Sequence, residues 1–132
     1  LCKGQFYFRA QREVLIEWKA DFANPRKISV AHPNSAWRID SGIAVGSTLD
    51  EVEKLNGGPF KMTGFEWDYP GRTVSWESGV FPAQLQLDFE PSAKISQPEL
   101  FQVVGDGHFS SKNRIIKKMK LKVNAIHIRW DI

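Results

Sequence analysis

Residues 42–60 read GIAVGSTLDEVEKLNGGPF, and this stretch decides the fold class. Ser47 or Thr48 can cap a helix by accepting a hydrogen bond from a backbone N–H of its first turn. With Thr48 as the cap, Glu51 is the third helical residue and completes a capping box. Asp50 and Glu51 also suit the positive end of the helix dipole. Leu49, Val52 and Leu55 recur three apart and form one apolar stripe. Asn56, Gly57 and Gly58 supply the left-handed conformers that end the helix, and Pro59 prevents its return. The helix has about two turns, too short to persist alone, so it must lie against a sheet.

Strand signals stand on both sides of it. The cleanest is AQLQLDFE, residues 83–90, which alternates with Leu85, Leu87 and Phe89 inward and Gln86, Asp88 and Glu90 toward water. Residues 62–68 and 73–77 flank a Tyr69-Pro70-Gly71-Arg72 turn and read as a hairpin, with Phe65 and Trp67 on one face. Before the helix, residues 6–9 suit a short edge strand. Residues 13–19 suit a strand buried on both faces, and residues 27–31 alternate with period two. Trp37 and Ile39 fall on one side of a short alternating segment. The last strand, residues 120–132, is apolar on both parities, which requires a slip or bulge within it. Residues 92–119 are polar and carry Pro98, Gly105 and Gly107, so most of this stretch is expected as a long loop, with a helical turn near residues 99–103. The reading is an α+β fold: an antiparallel sheet of five or more strands with one clear short helix packed against it.

The chain has 132 residues, of which 42% are hydrophobic and 25% charged. That length and composition fit one folded domain and exclude a low-complexity chain. No apolar run approaches the ~18 residues of a membrane span. With Cys2 as its one cysteine, the chain cannot form an internal disulfide or a multi-thiolate zinc site. Residues 1–5 show no signal-peptide pattern, and Cys2 is expected as a free thiol near a loose terminus. His32, His108 and His127 are far apart in sequence, so neither a metal nor any other cofactor is expected. Neither a phosphate-binding loop nor a nucleophile elbow is present.

Three constellations remain as candidate sites. Trp67 and Trp76 are the tryptophans expected to be exposed, and Asp68 and Tyr69 supply a rim that suits a protein partner. Lys112, Arg114, Lys117, Lys118, Lys120 and Lys122 form a basic segment, since from residue 108 onward seven basic residues face one acidic residue. Such a segment can attract nucleic acid or an anionic surface, or can be the solvated face of a strand and loop. Glu66, Asp68 and Glu77 lie close on the hairpin, and paired acids, with His108 as a further candidate, can carry hydrolysis.

The helix motif carries a resemblance. Gly46, Thr48, Glu51, Val52, Leu55, Gly58 and Pro59 match a helix-opening and exit pattern. That pattern resembles small bacterial envelope domains: the lipoprotein module of the outer-membrane protein assembly machinery and domains of the beta-lactamase-inhibitor-protein fold. The continuation GFEWDYPGRTVSWESG, residues 64–79, is similar to uncharacterised bacterial proteins, often exported. The likeness covers residues 42–79. Those lipoprotein modules place two helices before a three-stranded sheet, whereas here strands precede the single clear helix. The resemblance implies an exported or periplasmic domain that binds a protein or another envelope component, with no catalytic residues to carry over. The expected functions are therefore a non-enzymatic binding or scaffolding domain first, then nucleic-acid or anionic-surface binding through residues 112–122, then a small hydrolase on the residue 66–77 hairpin.

Overall fold

The computed structural model describes residues 2–6 as backbone and residues 12–66 and 70–131 in full. Among the described residues, eight strands and three short helices follow in order. β1 is Cys2–Phe6, β2 Val14–Trp18, β3 Pro25–Val30, α1 Leu49–Asn56, β4 Lys61–Thr63 and β5 Thr73–Ser75. β6 is Leu85–Glu90, α2 Gln97–Leu100, β7 His108–Ser110, α3 Arg114–Lys118 and β8 Lys122–Arg129. The chain is thus α+β with antiparallel strands and short helices. The strands form two sheets rather than one: β1-β2-β3-β8-β6 and β5-β4-β7.

α1 is built as its sequence dictates at both ends. Thr48 Oγ1 accepts from Glu51 N at 3.2 Å, and Gly57 takes φ 84°. Gly57 N donates to Lys54 O and Gly58 N to Glu53 O, the Schellman closure. The buried face is different from the predicted stripe. It consists of Leu49, Val52, Glu53 and Asn56, while Leu55 is 39% exposed. Two polar residues turn inward because partners await them. Asn56 donates to Gly58 O and Trp76 O at 3.1 and 3.2 Å. Glu53 accepts from Ser111 Oγ at 2.6 Å and pairs with Lys117. An apolar count cannot register such neighbours, so it assigned the inner face to Leu55.

β6 and β8, at one end of the larger sheet, carry the core. Leu85, Leu87 and Phe89 are buried as alternation requires, and they pair with Ile128, Ile126 and Val123. The register jumps from Asp88↔Ala125 to Phe89↔Val123, skipping Asn124. This slip puts Val123 and Ile126 on the same core face and resolves the two-parity pattern of the last strand. Asp88 departs from expectation: it is buried, not turned to water. Over this half of the sheet pack Ile43, Leu49, Val52, Phe60, Met62, Trp76, Ile116 and Met119. The Phe60 ring lies 5.0 Å from Trp76 and 6.0 Å from Phe89, centroid to centroid. Each fully buried side chain of this size contributes about 1.5–3 kcal/mol.

The hairpin expected over residues 62–77 exists with shorter strands. β4 and β5 pair through Lys61↔Ser75 and Met62↔Thr73. After Thr63 the chain turns to residues 103–105 instead: Phe65 N donates to Val103 O and Gly64 N to Gly105 O. Gly64 permits that approach, because a Cβ there would sit 2.8 Å from the Val104 carbonyl carbon and 2.9 Å from Gly105 O. Residues 92–119 carry more structure than a loop. α2 opens with a complete Ser96–Glu99 capping box and runs into a 3-10 turn, Phe101–Val103. Asn113 caps α3, which buries Ile115 and Ile116. These helices escape periodicity because each is little more than one turn long.

β1 is the edge strand of the larger sheet and begins at Cys2, opposite Trp18. Residues 7–9 of the expected edge strand lie outside the described residues. β2 is less covered than its apolar run suggested: only Glu17 is buried, held by Arg26 and Lys27 at 3.1 and 3.2 Å. Its place beside the edge explains the exposure, since the core lies at the β6 end.

Candidate functional site

The register places Ile16, Ile28 and Ile128 on one face of β2, β3 and β8, with Val30 and Ile126 beside them. Toward β6 this face continues into the core. Toward β2, among the described residues, it is half open, roofed by the segment after β3. There Trp37 is 47% exposed and Ile39 packs against the core. The gap is a groove of about 280 Å3 lined by Val14, Ile28, Val30, Trp37, Arg38, Ile39, Ile126 and Ile128. Among the described residues its wall is aliphatic apart from Trp37 and Arg38. The Trp37 indole N–H donates to Arg12 O at 3.0 Å, so the ring offers the groove only apolar surface. Arg38 is exposed and its guanidinium makes a 3.4 Å hydrogen bond to Gly42 O. Among the described residues it has no ion-pair partner.

The opposite face of the same strands carries a buried polar chain. Ser29 Oγ lies 2.7 Å from His127 Nδ1, and His127 Nε2 lies 2.9 Å from Asp88 Oδ2. Arg72 closes the chain with two bonds to the Asp88 carboxylate, at 2.6 and 2.9 Å. Burial pushes the Asp88 carboxyl up, but the Arg72 hydrogen bonds, then the His127 hydrogen bond and charge, outweigh it and hold it down at about 2. Asp88 is therefore an acceptor only, so His127 Nε2 carries a proton toward it and, in the neutral ring, Nδ1 accepts from Ser29. Serine, histidine and aspartate in line have the connectivity of an activated nucleophile. Ser29, however, is 8% exposed and sits mid-strand. The neighbouring hollow of about 320 Å3 reaches Asp88 but stops short of Ser29 and His127. What the arrangement does is clamp β3, β8 and β6 to Arg72.

The predicted site residues are dispersed. Trp67, Asp68 and Tyr69 lie outside the described residues. Trp76 belongs to the core, not to a rim: it is 6% exposed, its Nε1 donates to Leu85 O at 2.9 Å, and Phe60 and Phe81 flank its ring. It is drawn inward because β5 folds back over β6, where the indole N–H finds a carbonyl. Glu66 and Glu77 are exposed and line different hollows, so the structure does not bring them together. His108 is exposed at the start of β7.

The basic segment is partly neutralised. Lys117 pairs with Asp50 and Glu53, and Lys118 with Glu99. Lys112, Arg114, Lys120 and Lys122 are exposed, without ion pairs among the described residues. Lys117, Lys120 and Lys122 meet around a hollow of about 310 Å3 beside Thr48 and Asp50. Among the described residues no three His, Cys, Asp or Glu side chains converge as metal ligands, and no helix is long and apolar enough to cross a membrane.

No family model matches the chain, and no curated protein or solved structure matches it either.

Sequence reasoning missed both the groove and the polar chain. The polar chain left a signal: Ile28-Ser29-Val30, Leu87-Asp88-Phe89 and Ile126-His127-Ile128 each centre a polar residue between two apolar ones. In three strands that pair side by side, such centres meet. The groove left none, because its lining pattern is the same as that of a covered core face.

Proposed function

We propose that this chain is a non-enzymatic binding or scaffolding domain of the bacterial cell envelope, exported or periplasmic. It holds its partner at the half-open face of the larger sheet rather than on a hairpin rim. The observation that carries this reading is the groove under Trp37. A sheet that buries one half of a face and leaves the other half apolar and accessible presents a contiguous patch of the kind that marks binding sites. The resemblance of residues 42–79 to envelope lipoprotein modules supplies the compartment.

The test is made in cells expressing the whole gene product. It should fractionate with the envelope. A photoreactive aromatic at position 37 should give a discrete adduct there, and Ile39→Asp should abolish it. Recovery from the cytoplasm overturns the compartment. An adduct pattern equal to that from a photoreactive group at exposed Val80 overturns the groove as the binding face.

A second reading rests on Lys112, Arg114, Lys120 and Lys122, the cations of the basic segment without an ion pair among the described residues. Binding to nucleic acid or an anionic surface through them falls steeply with salt. Replacing Lys120 and Lys122 with Gln should flatten that slope, and an unchanged slope removes this reading.

A further inference from the structure

We propose that the groove under Trp37 is a binding site for a single-chain alkyl carboxylate, a medium-chain fatty acid, with Arg38 as its counter-ion. This rests on the reading of that face as the binding face and names the class of ligand.

Three observations define the ligand. First, the wall is made of Val14, Ile28, Val30, Ile39, Ile126 and Ile128, plus a tryptophan whose only donor is already bonded to Arg12 O. A polar body would lose its hydration there and gain no partner. Second, among the described residues the groove has one charged group, Arg38. Its guanidinium is exposed, with a single long bond to Gly42 O and no ion pair among the described residues. A planar carboxylate matches that fork with two hydrogen bonds. Third, the volume is about 280 Å3. A groove of that size, open along one side, suits one short alkyl chain lying along the strands. One apolar chain ending in one anion satisfies all three.

The recognition is simple physically. The chain lies against Ile28, Ile126 and Ile128 while its head stays at the wet edge with Arg38. Affinity should then grow with chain length until the groove is full, and the head should add a contribution that depends on Arg38 alone.

The experiment is calorimetric titration of the full chain with hexanoate, octanoate and decanoate, each below its micelle concentration, and with octan-1-ol as the neutral comparison. One molecule should bind per chain. Affinity should rise about 2–4-fold per added methylene. Arg38→Gln should weaken decanoate binding at least 5-fold and leave octanol unchanged. Trp37→Ala should weaken both. Thermal unfolding of each variant confirms that the fold persists, which the exposure of both side chains favours. Absence of saturable binding, several molecules per chain, or an Arg38→Gln variant that binds decanoate like the parent overturns the proposal. If decanoate fails while the adduct at position 37 forms, only the ligand class is wrong. If both fail, the groove reading itself is wrong.

Discussion

Replacing Asp88 with Asn tests the buried polar chain. The carboxylate accepts two bonds from Arg72 and one from His127, and its side chain is 10% exposed. Arg72 is 34% exposed, so water can reach its guanidinium when the partner is lost. Holding Asp88 down from 3.8 to about 2 corresponds to about 2 kcal/mol. Asn also turns an N–H toward donors that had faced an acceptor, so the loss should be about 2–3 kcal/mol, below the 3–5 of a fully buried broken pair. For a chain of this length that lowers Tm by about 8–12 °C. The sign of the pH dependence follows from a depressed carboxyl. Its contribution is complete above the unfolded value near 4 and is lost as pH falls through about 2. Urea unfolding of parent and variant at pH 7, 5, 4 and 3 reads this directly. The gap in unfolding free energy should be full at pH 7 and 5 and should shrink at pH 3. A gap under ~0.5 kcal/mol at pH 7, or one that stays constant to pH 3, refutes the reasoning. Arg72→Met, alone and combined with Asp88→Asn, should show a coupling of about 1 kcal/mol or more.

Gly64→Ala should cost about 3 kcal/mol or prevent folding, because its Cβ meets the backbone of Val104 and Gly105, which cannot yield. Soluble yield and a denaturation midpoint read it, and a parent-like midpoint would show that residues 64 and 103–105 do not approach. Thr48→Ala should cost about 1 kcal/mol through the lost cap bond to Glu51 N, measured by urea unfolding against the smaller cost of Thr48→Gly. Phe22 holds φ 58° at the turn between β2 and β3 and is 66% exposed. Phe22→Asn should therefore raise stability by up to about 1 kcal/mol, since Asn tolerates this conformation and no packing is lost. A lower Tm would show that the phenyl ring has contacts that its exposure conceals.

The sequence determined what neighbours along the chain can settle. The ends of α1 lie within a few residues of the groups that satisfy them, so Thr48, Gly57 and Gly58 are legible without the fold. Alternation in β6 places Leu85, Leu87 and Phe89 inside by the period of a strand alone. The double parity of β8 forced a slip, which the structure locates at Asn124. The tertiary structure decided the rest, because it depends on which element lies opposite. Division into two sheets follows from the chain turning at Gly64 to residues 103–105, a contact some forty residues away. Asn56, Glu53 and Asp88 could be buried only because Trp76 O, Ser111 and Arg72 arrive from elsewhere to satisfy them. Trp76 moved from the expected rim into the core for the same reason: Leu85 O accepts its indole proton. The groove is the plainest case. Val14, Ile28 and Ile128 have the same inward pattern whether or not anything covers them, since periodicity records the side of a strand that avoids water and not whether the fold supplies a cover.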